Sequence, residues 1–141
     1  MTDLGAGGII LPAYTDGLRP TAFLTTLFFD YPRPPITANK TYNRWAKADL
    51  TRNIRRATKL LAHRIPALGK IHVSLVWVVK DRIRRDGGEN VAPTMKPMID
   101  GLVDAGIVVD DSPQYVIRDM PTVLYEKGAT PHMELRIEMV A

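Results

Sequence analysis

Residues 81–113 read DRIRRDGGENVAPTMKPMIDGLVDAGIVVDDSP, and the rest of the chain is organised around them. Arg82, Arg84 and Arg85 come first, and Asp86, Glu89 and Asn90 then surround a Gly87-Gly88 turn. Met95, Met98, Ile99 and Leu102 recur at helical spacing, which predicts a helix over 94–105 that Gly106 ends. Pro97 fits a first turn best, so regular helix is expected from close to Lys96, with its positive dipole end near the acidic turn. Lys96 and Asp100 share another face, and a short apolar run then delivers Asp110 and Asp111. Two carboxylate clusters thus flank one helix, with arginines at the entrance. Carboxylates converging from a loop, a helix and a second loop suit a hard cation such as Mg²⁺, which takes few protein oxygens and leaves room for a phosphate. Cationic side chains beside such a site suit a polyanionic substrate. The same residues also suit an ordinary turn, since Asp, Asn and Gly satisfy turn geometry with no ligand.

Upstream, residues 70–80 (KIHVSLVWVVK) are the most apolar strand. Ile71, Val73, Leu75, Trp77 and Val79 share one side. Val76 and Val78 make the other side apolar too, which predicts a central strand. It runs directly into the basic and acidic turn, at the strand end where open α/β sheets place their sites. His72 reads as a strand residue at the margin of the core. Residues 49–65 read as a helix with the stripe Leu50, Ile54, Ala57, Leu61 and Ile65, Asp49 as N-cap, and Pro66 and Gly69 beyond its end. Arg52, Arg56, Lys59 and His63 share a second face with few acidic partners in the helix. That face suits either plain solvation or phosphate contact.

Residues 21–31 are β-branched and aromatic, hence a strand, and Pro32, Pro34 and Pro35 end it. The loop 36–45 (ITANKTYNRW) mixes Asn39, Lys40, Asn43 and Arg44 with Tyr42 and Trp45. Such a mixture contacts phosphate and stacks on bases, or simply anchors an aromatic in a loop. Residues 115–120 and 122–125 read as one strand broken at Pro121. In the last strand, 134–140, Leu135, Ile137 and Met139 point inward with Met133, against outward Glu134, Arg136 and Glu138. Residues 1–20 are rich in Gly and Pro and read as a loose arm. The expectation is one α/β (α+β) domain over 21–141, with a mixed sheet of about four strands and two main helices.

At 141 residues and 45% hydrophobic composition, the chain suffices for one real core. It has no cysteine, which excludes disulfides and Cys-based zinc sites, and its three histidines stand singly. No run of roughly 18 apolar residues predicts a membrane span, and no secretory signal is evident, so a cytoplasmic location is expected. The net charge of +4 is unevenly spread. Residues 1–85 hold 15 Lys and Arg against 5 Asp and Glu, and residues 86–141 hold 4 against 10. That asymmetry suits a basic surface around an acidic pocket.

The pattern from Pro34 to Asp111 resembles the RusA family of Holliday-junction resolvases, of phage and prophage origin. PPITANKTYNRW resembles that family's PP-x-x-x-N segment. Asp86-Gly87-Gly88-Glu89-Asn90, then Lys96-x-x-x-Asp100-Gly-Leu-x-x-Ala-Gly and Asp110-Asp111-Ser112, resemble its D-x-D-N, K-x-x-x-D-x-L and D-D signature. The first element is one residue longer here and has Glu as its second acid. The likeness covers roughly residues 21–140.

The resemblance implies a RusA-like fold and a homodimeric endodeoxyribonuclease that uses Mg²⁺ (or Mn²⁺ in its place) to resolve four-way junctions and related branched DNA in the cytoplasm of a bacterial host. It implies that Asp86, Glu89 and Asp111 bind the metal and that Lys96 faces the scissile phosphate. Asp100, Asp110 and Asn90 would support them. Asn39, Lys40, Arg44, Arg52, Arg56, Lys59, Arg82, Arg84 and Arg85 would grip the DNA arms. Two other readings stay open. One is a non-catalytic DNA-binding protein that keeps the fold; the other is a phage assembly protein with no DNA role.

Overall fold

The computed structural model describes residues 24–83, 85 and 87–140, together with the backbone of 3–4 and 7–10. In chain order the elements are β1 (Asp3–Leu4), β2 (Gly7–Ile10), β3 (Leu24–Phe29), α1 (Arg44–Leu61), β4 (Ile71–Val79), α2 (Gly88–Asp104), β5 (Val116–Arg118), β6 (Thr122–Tyr125) and β7 (His132–Met139). The strands form one mixed sheet in the order β1-β2-β3-β7-β4-β5, with β6 also paired to β4. β5 and β6 run parallel to β4, and β7 runs antiparallel to it. The fold is α+β: two helices and a mixed sheet in a single small domain.

β4 lies between β7 on one side and β5 with β6 on the other, as its two apolar faces require. Ile71, Val73 and Leu75 of β4 join Leu135 and Ile137 of β7 and Leu27 and Phe29 of β3 in the core cluster. The helices close over these side chains with Ile54, Val91, Met95, Met98, Ile99 and Leu102, all buried. Burial of each such side chain is worth about 1.5–3 kcal/mol. The two helices approach closely at Gly101, where a Cβ would lie 2.6 Å from the Arg55 carbonyl oxygen and from Thr58 Cβ.

Both helices begin earlier than their apolar spacing predicts. α1 starts at Arg44 because Asn43, not Asp49, is its N-cap: Asn43 Oδ1 accepts from the Trp45 and Ala46 N–H groups at 2.8 and 3.0 Å. Asp49 instead binds Arg52 at 2.8 Å, one turn on. α2 starts at Gly88 and runs through both Pro93 and Pro97. The prolines withhold two backbone donors, and bonds to residues 36–39, described below, hold the helix in place of them. Its positive end therefore sits at Gly88, not near Lys96.

The sheet has more strands than the expected four. The strand broken at Pro121 is two strands, β5 and β6. Part of the expected arm also joins the sheet: β2 pairs antiparallel with β3, Gly7 opposite Leu27 and Ile10 opposite Leu24. Backbone donors and acceptors along the edge of β3 would otherwise stay unpaired.

Candidate functional site

The first turns of α2 are stapled to the loop after β3. Thr94 is fully buried; its hydroxyl donates to the Ile36 carbonyl at 2.7 Å and accepts the Ile36 N–H at 3.1 Å. Asn90 accepts twice, through Oδ1 from the Asn39 N–H at 2.8 Å and through its carbonyl from the Ala38 N–H at 3.1 Å. Asn90 and Asn39 are thus brought together, in a structural bond. Beneath this turn Gly88 touches the joint between β5 and β6: a Cβ there would lie 2.0 Å from the Pro121 carbonyl oxygen. Gly88 is therefore part of a close-packed helix start, whereas Gly87, its N-cap, is exposed with open space around it. Glu89 is exposed and lines a shallow pocket of about 390 Å³ with Asn39 and Asn90. Among the described residues Glu89 has no ion pair.

Further along α2, Lys96 gathers two carboxylates. Its ammonium donates to Asp100 Oδ1 at 2.9 Å and to Asp111 Oδ2. The Asp100 hydrogen bond, then that of Asp111, raises the Lys96 pKa above its ordinary value. The Lys96 bond correspondingly holds the Asp111 carboxyl below the usual carboxylate range. Arg118 donates to the Asp111 carbonyl at 2.7 Å, which fixes the loop that carries it. One turn beyond Asp100, Asp104 receives both arms of the Arg55 guanidinium, at 2.5 and 2.8 Å. That fork lowers the Asp104 pKa and raises that of Arg55.

Asp86 and Arg84 lie outside the described residues. Among the described residues no group of three or more His, Asp or Glu side chains is arranged to hold a metal. A hard cation still fits the donor chemistry at Asp111. There the Lys96 ammonium already stands between the Asp111 and Asp100 carboxylates, and Glu89 is not among its partners. Asp110 is exposed beside it.

The cationic residues divide into two groups. Arg44, Lys47, Arg52 and Arg55 line one groove on α1 of about 520 Å³. Arg44 also lies over the Trp45 ring, 4.8 Å from its centroid, and Trp45 is 70% exposed. Arg56 and Lys59 are exposed on the same helix. Lys40 lies 5.3 Å from the Tyr42 ring centroid. At the end of β4, Arg82 covers Tyr125 at 4.5 Å, and Arg85 covers Trp77 at 5.5 Å while pairing with Asp81 at 2.7 Å. The sequence reading missed Lys47 and Arg55. Both sit one turn from residues it did choose, Arg44 and Arg52, and helical spacing offered that signal.

No family model matches the chain, and no curated protein matches it. Among solved structures it is similar to the periplasmic domain of Helicobacter pylori MotB, at 13% identity and a TM-score of 0.36 over 95% of this chain and 83% of that one. A likeness of that size carries no argument. No helix among the described residues is long and apolar enough to cross a membrane.

Proposed function

We propose that this protein is a Mg²⁺-dependent, structure-selective endodeoxyribonuclease that resolves Holliday junctions and related branched DNA. One observation carries the reading. The cationic groove of α1 abuts the acidic row of α2, because Arg55 lines that groove and forks onto Asp104. Lys96, Asp100 and Asp104 follow at i, i+4 and i+8 on α2, so DNA phosphates held along α1 would lie beside the carboxylates. The likeness of these residues to the RusA family signature supports the same reading.

In this proposal Asp111, Glu89 and Asp86 hold the cation. Bound Mg²⁺ would polarise a phosphoryl oxygen and lower the pKa of an attacking water. Lys96, released from Asp111 by the incoming cation, would offset charge that builds on the phosphate. The α1 groove would hold the DNA backbone without reading sequence. The protein would act in the cytoplasm as a homodimer, since a two-fold assembly supplies two sites for two symmetric cuts. A second reading, a DNA-binding protein without cleavage, is favoured by one feature: Lys96 already pairs with both Asp111 and Asp100 and offsets part of their charge.

A labelled four-way junction incubated with and without Mg²⁺ and resolved on a denaturing gel separates the two. Paired, Mg²⁺-dependent cuts near the branch are expected. Salt-sensitive binding with no cut in either Mg²⁺ or Mn²⁺ would leave the second reading.

A further inference from the structure

Past the end of β4 the structure holds a cleft of about 480 Å³, within the roughly 300–1,000 Å³ usual for small-ligand sites. Its apolar lining includes buried Val79 and half-buried Trp77. The Trp77 indole N–H donates to the Pro32 carbonyl at 3.0 Å, which fixes the ring. Arg85 lies over that ring, and its guanidinium is held by Asp81 Oδ1 at 2.7 Å and by the Ile83 and Asp81 carbonyls at 2.8 and 3.2 Å. Indole and guanidinium are each held by hydrogen bonds, so both can meet a ligand's aromatic face with little reordering.

Two further kinds of group meet there. Arg33 and Lys80 line the cleft, are exposed, and have no ion pair among the described residues. Asn90 lines it too. Its Oδ1 is occupied by the Asn39 N–H, which leaves its amide NH₂ as a double donor. Aromatic and guanidinium faces, amide donors and two cations outside any ion pair among the described residues are the complement of a nucleotide, with its aromatic face, its ring acceptors and its phosphate.

We propose that this cleft holds one unstacked nucleotide, with its base on the Trp77–Arg85 surface and its phosphate on Arg33 and Lys80. The inference rests on the DNA-directed reading above and deepens it. A paired, stacked duplex offers no free base face, whereas a branch point releases bases at low cost. The cleft shares Asn90 with the pocket that Glu89 lines, so a captured nucleotide would set the position of its neighbouring phosphate relative to the acids.

The test uses the full chain labelled with ¹⁵N. It has two tryptophans, and Trp45→Phe assigns the Trp77 indole N–H signal. Deoxyadenosine 5′-monophosphate should move that signal saturably. Deoxyribose 5-phosphate, which lacks the base, should bind roughly tenfold more weakly or not at all, the scale of one lost stacking partner. The Arg33→Ser, Lys80→Ser double variant should weaken the mononucleotide by a similar factor, with the dispersed spectrum of the same sample reporting that it is folded. A Trp77 signal that stays still, or moves equally with deoxyribose 5-phosphate, overturns the proposal. Junction cleavage is scored separately. Cleavage with no nucleotide in the cleft removes this inference alone; a nucleotide in the cleft of a protein that cuts nothing supports the cleft and removes the endonuclease reading.

Discussion

Glu89, in the first turn of α2, is exposed and has no ion pair among the described residues, whereas Asp111, beyond the other end of the helix, is bound by Lys96 and its loop is tied down by Arg118. Both acids belong to the clusters that flank α2, yet their electrostatics differ. A free carboxylate costs a cation nothing to reach beyond its own desolvation. A paired one requires that Lys96 be displaced first. The difference assigns separate tasks in the proposed mechanism. Asp111 with Lys96 would act as an exchangeable pair that lowers the negative charge of the site until a divalent cation arrives, while Glu89 would be held ready on a helix start packed against the Pro121 carbonyl.

The largest effect is expected at the paired acid. Asp111→Asn removes the charge and keeps the shape, so single-turnover junction cleavage should fall about a hundredfold or more. Junction binding, read by gel shift, should hold or tighten, because repulsion against phosphate is lost. Cleavage at the wild-type rate would move the site away from α2.

At the other end the test is steric. Gly88→Ala puts a methyl group on the Pro121 carbonyl oxygen, where only 2.0 Å is free. It should destabilise the fold by about 1–3 kcal/mol in urea unfolding, and displace Glu89 with the helix start. Unchanged stability would mean that the joint yields, and that Glu89 is not rigidly held.

Glu89→Gln sharpens the comparison further. A free carboxylate that serves the cation should cost about tenfold in cleavage when neutralised, on the scale of lost metal support. Glu89→Asp, which keeps the charge and shortens the reach, should be intermediate. A fully active Glu89→Gln protein would leave Asp111, with Asp86, as the metal-binding pair.

The smallest effect concerns the joint that supports Gly88. There Asp119 binds Ser74 Oγ and His72 Nε2, both at 2.9 Å. The Asp119 hydrogen bond, helped by Glu138, raises the His72 pKa above its ordinary value. A raised folded-state pKa adds stability that is complete below the unfolded value of about 6.5 and is lost as pH rises through the folded value. The melting temperature should therefore drop slightly from about pH 6 to about pH 8, and His72→Gln should reduce that slope. His132 should keep part of it: burial opposes its protonation, but the Thr130 carbonyl and the Glu134 carboxylate outweigh burial and raise its pKa. A slope unchanged in His72→Gln would show that the joint does not depend on this charge.

How far these features could be read in advance depended on the distance over which each is determined. β4, β7 and the Met95–Leu102 face of α2 were legible because side-chain period alone defines them. Both helix starts were misjudged. Asn43 outcompeted Asp49 as a cap, and the prolines of α2 were tolerated because Asn90 and Thr94 bond to residues 36–39, more than fifty positions away in the chain. The Lys96–Asp100 pair was legible as an i, i+4 contact on a helix face. That Asp111 closes on the same ammonium, and that Arg55 forks onto Asp104, follows only from tertiary packing across 15 and 49 residues. The burial of Thr58 also escaped the apolar pattern, since its hydroxyl is satisfied within its own helix by the Ile54 carbonyl at 2.8 Å.

Direct Mn²⁺ binding, followed by loss of the free-ion electron paramagnetic resonance signal, tests the central claim that the acids flanking α2 serve one cation. Wild type, Asp111→Asn, Glu89→Gln and the double variant are compared on the same junction DNA. Each single variant is predicted to lose most of the bound Mn²⁺, and the double variant to lose little more, because ligands of one ion do not contribute additively. Mn²⁺ binding that neither substitution changes would contradict the account.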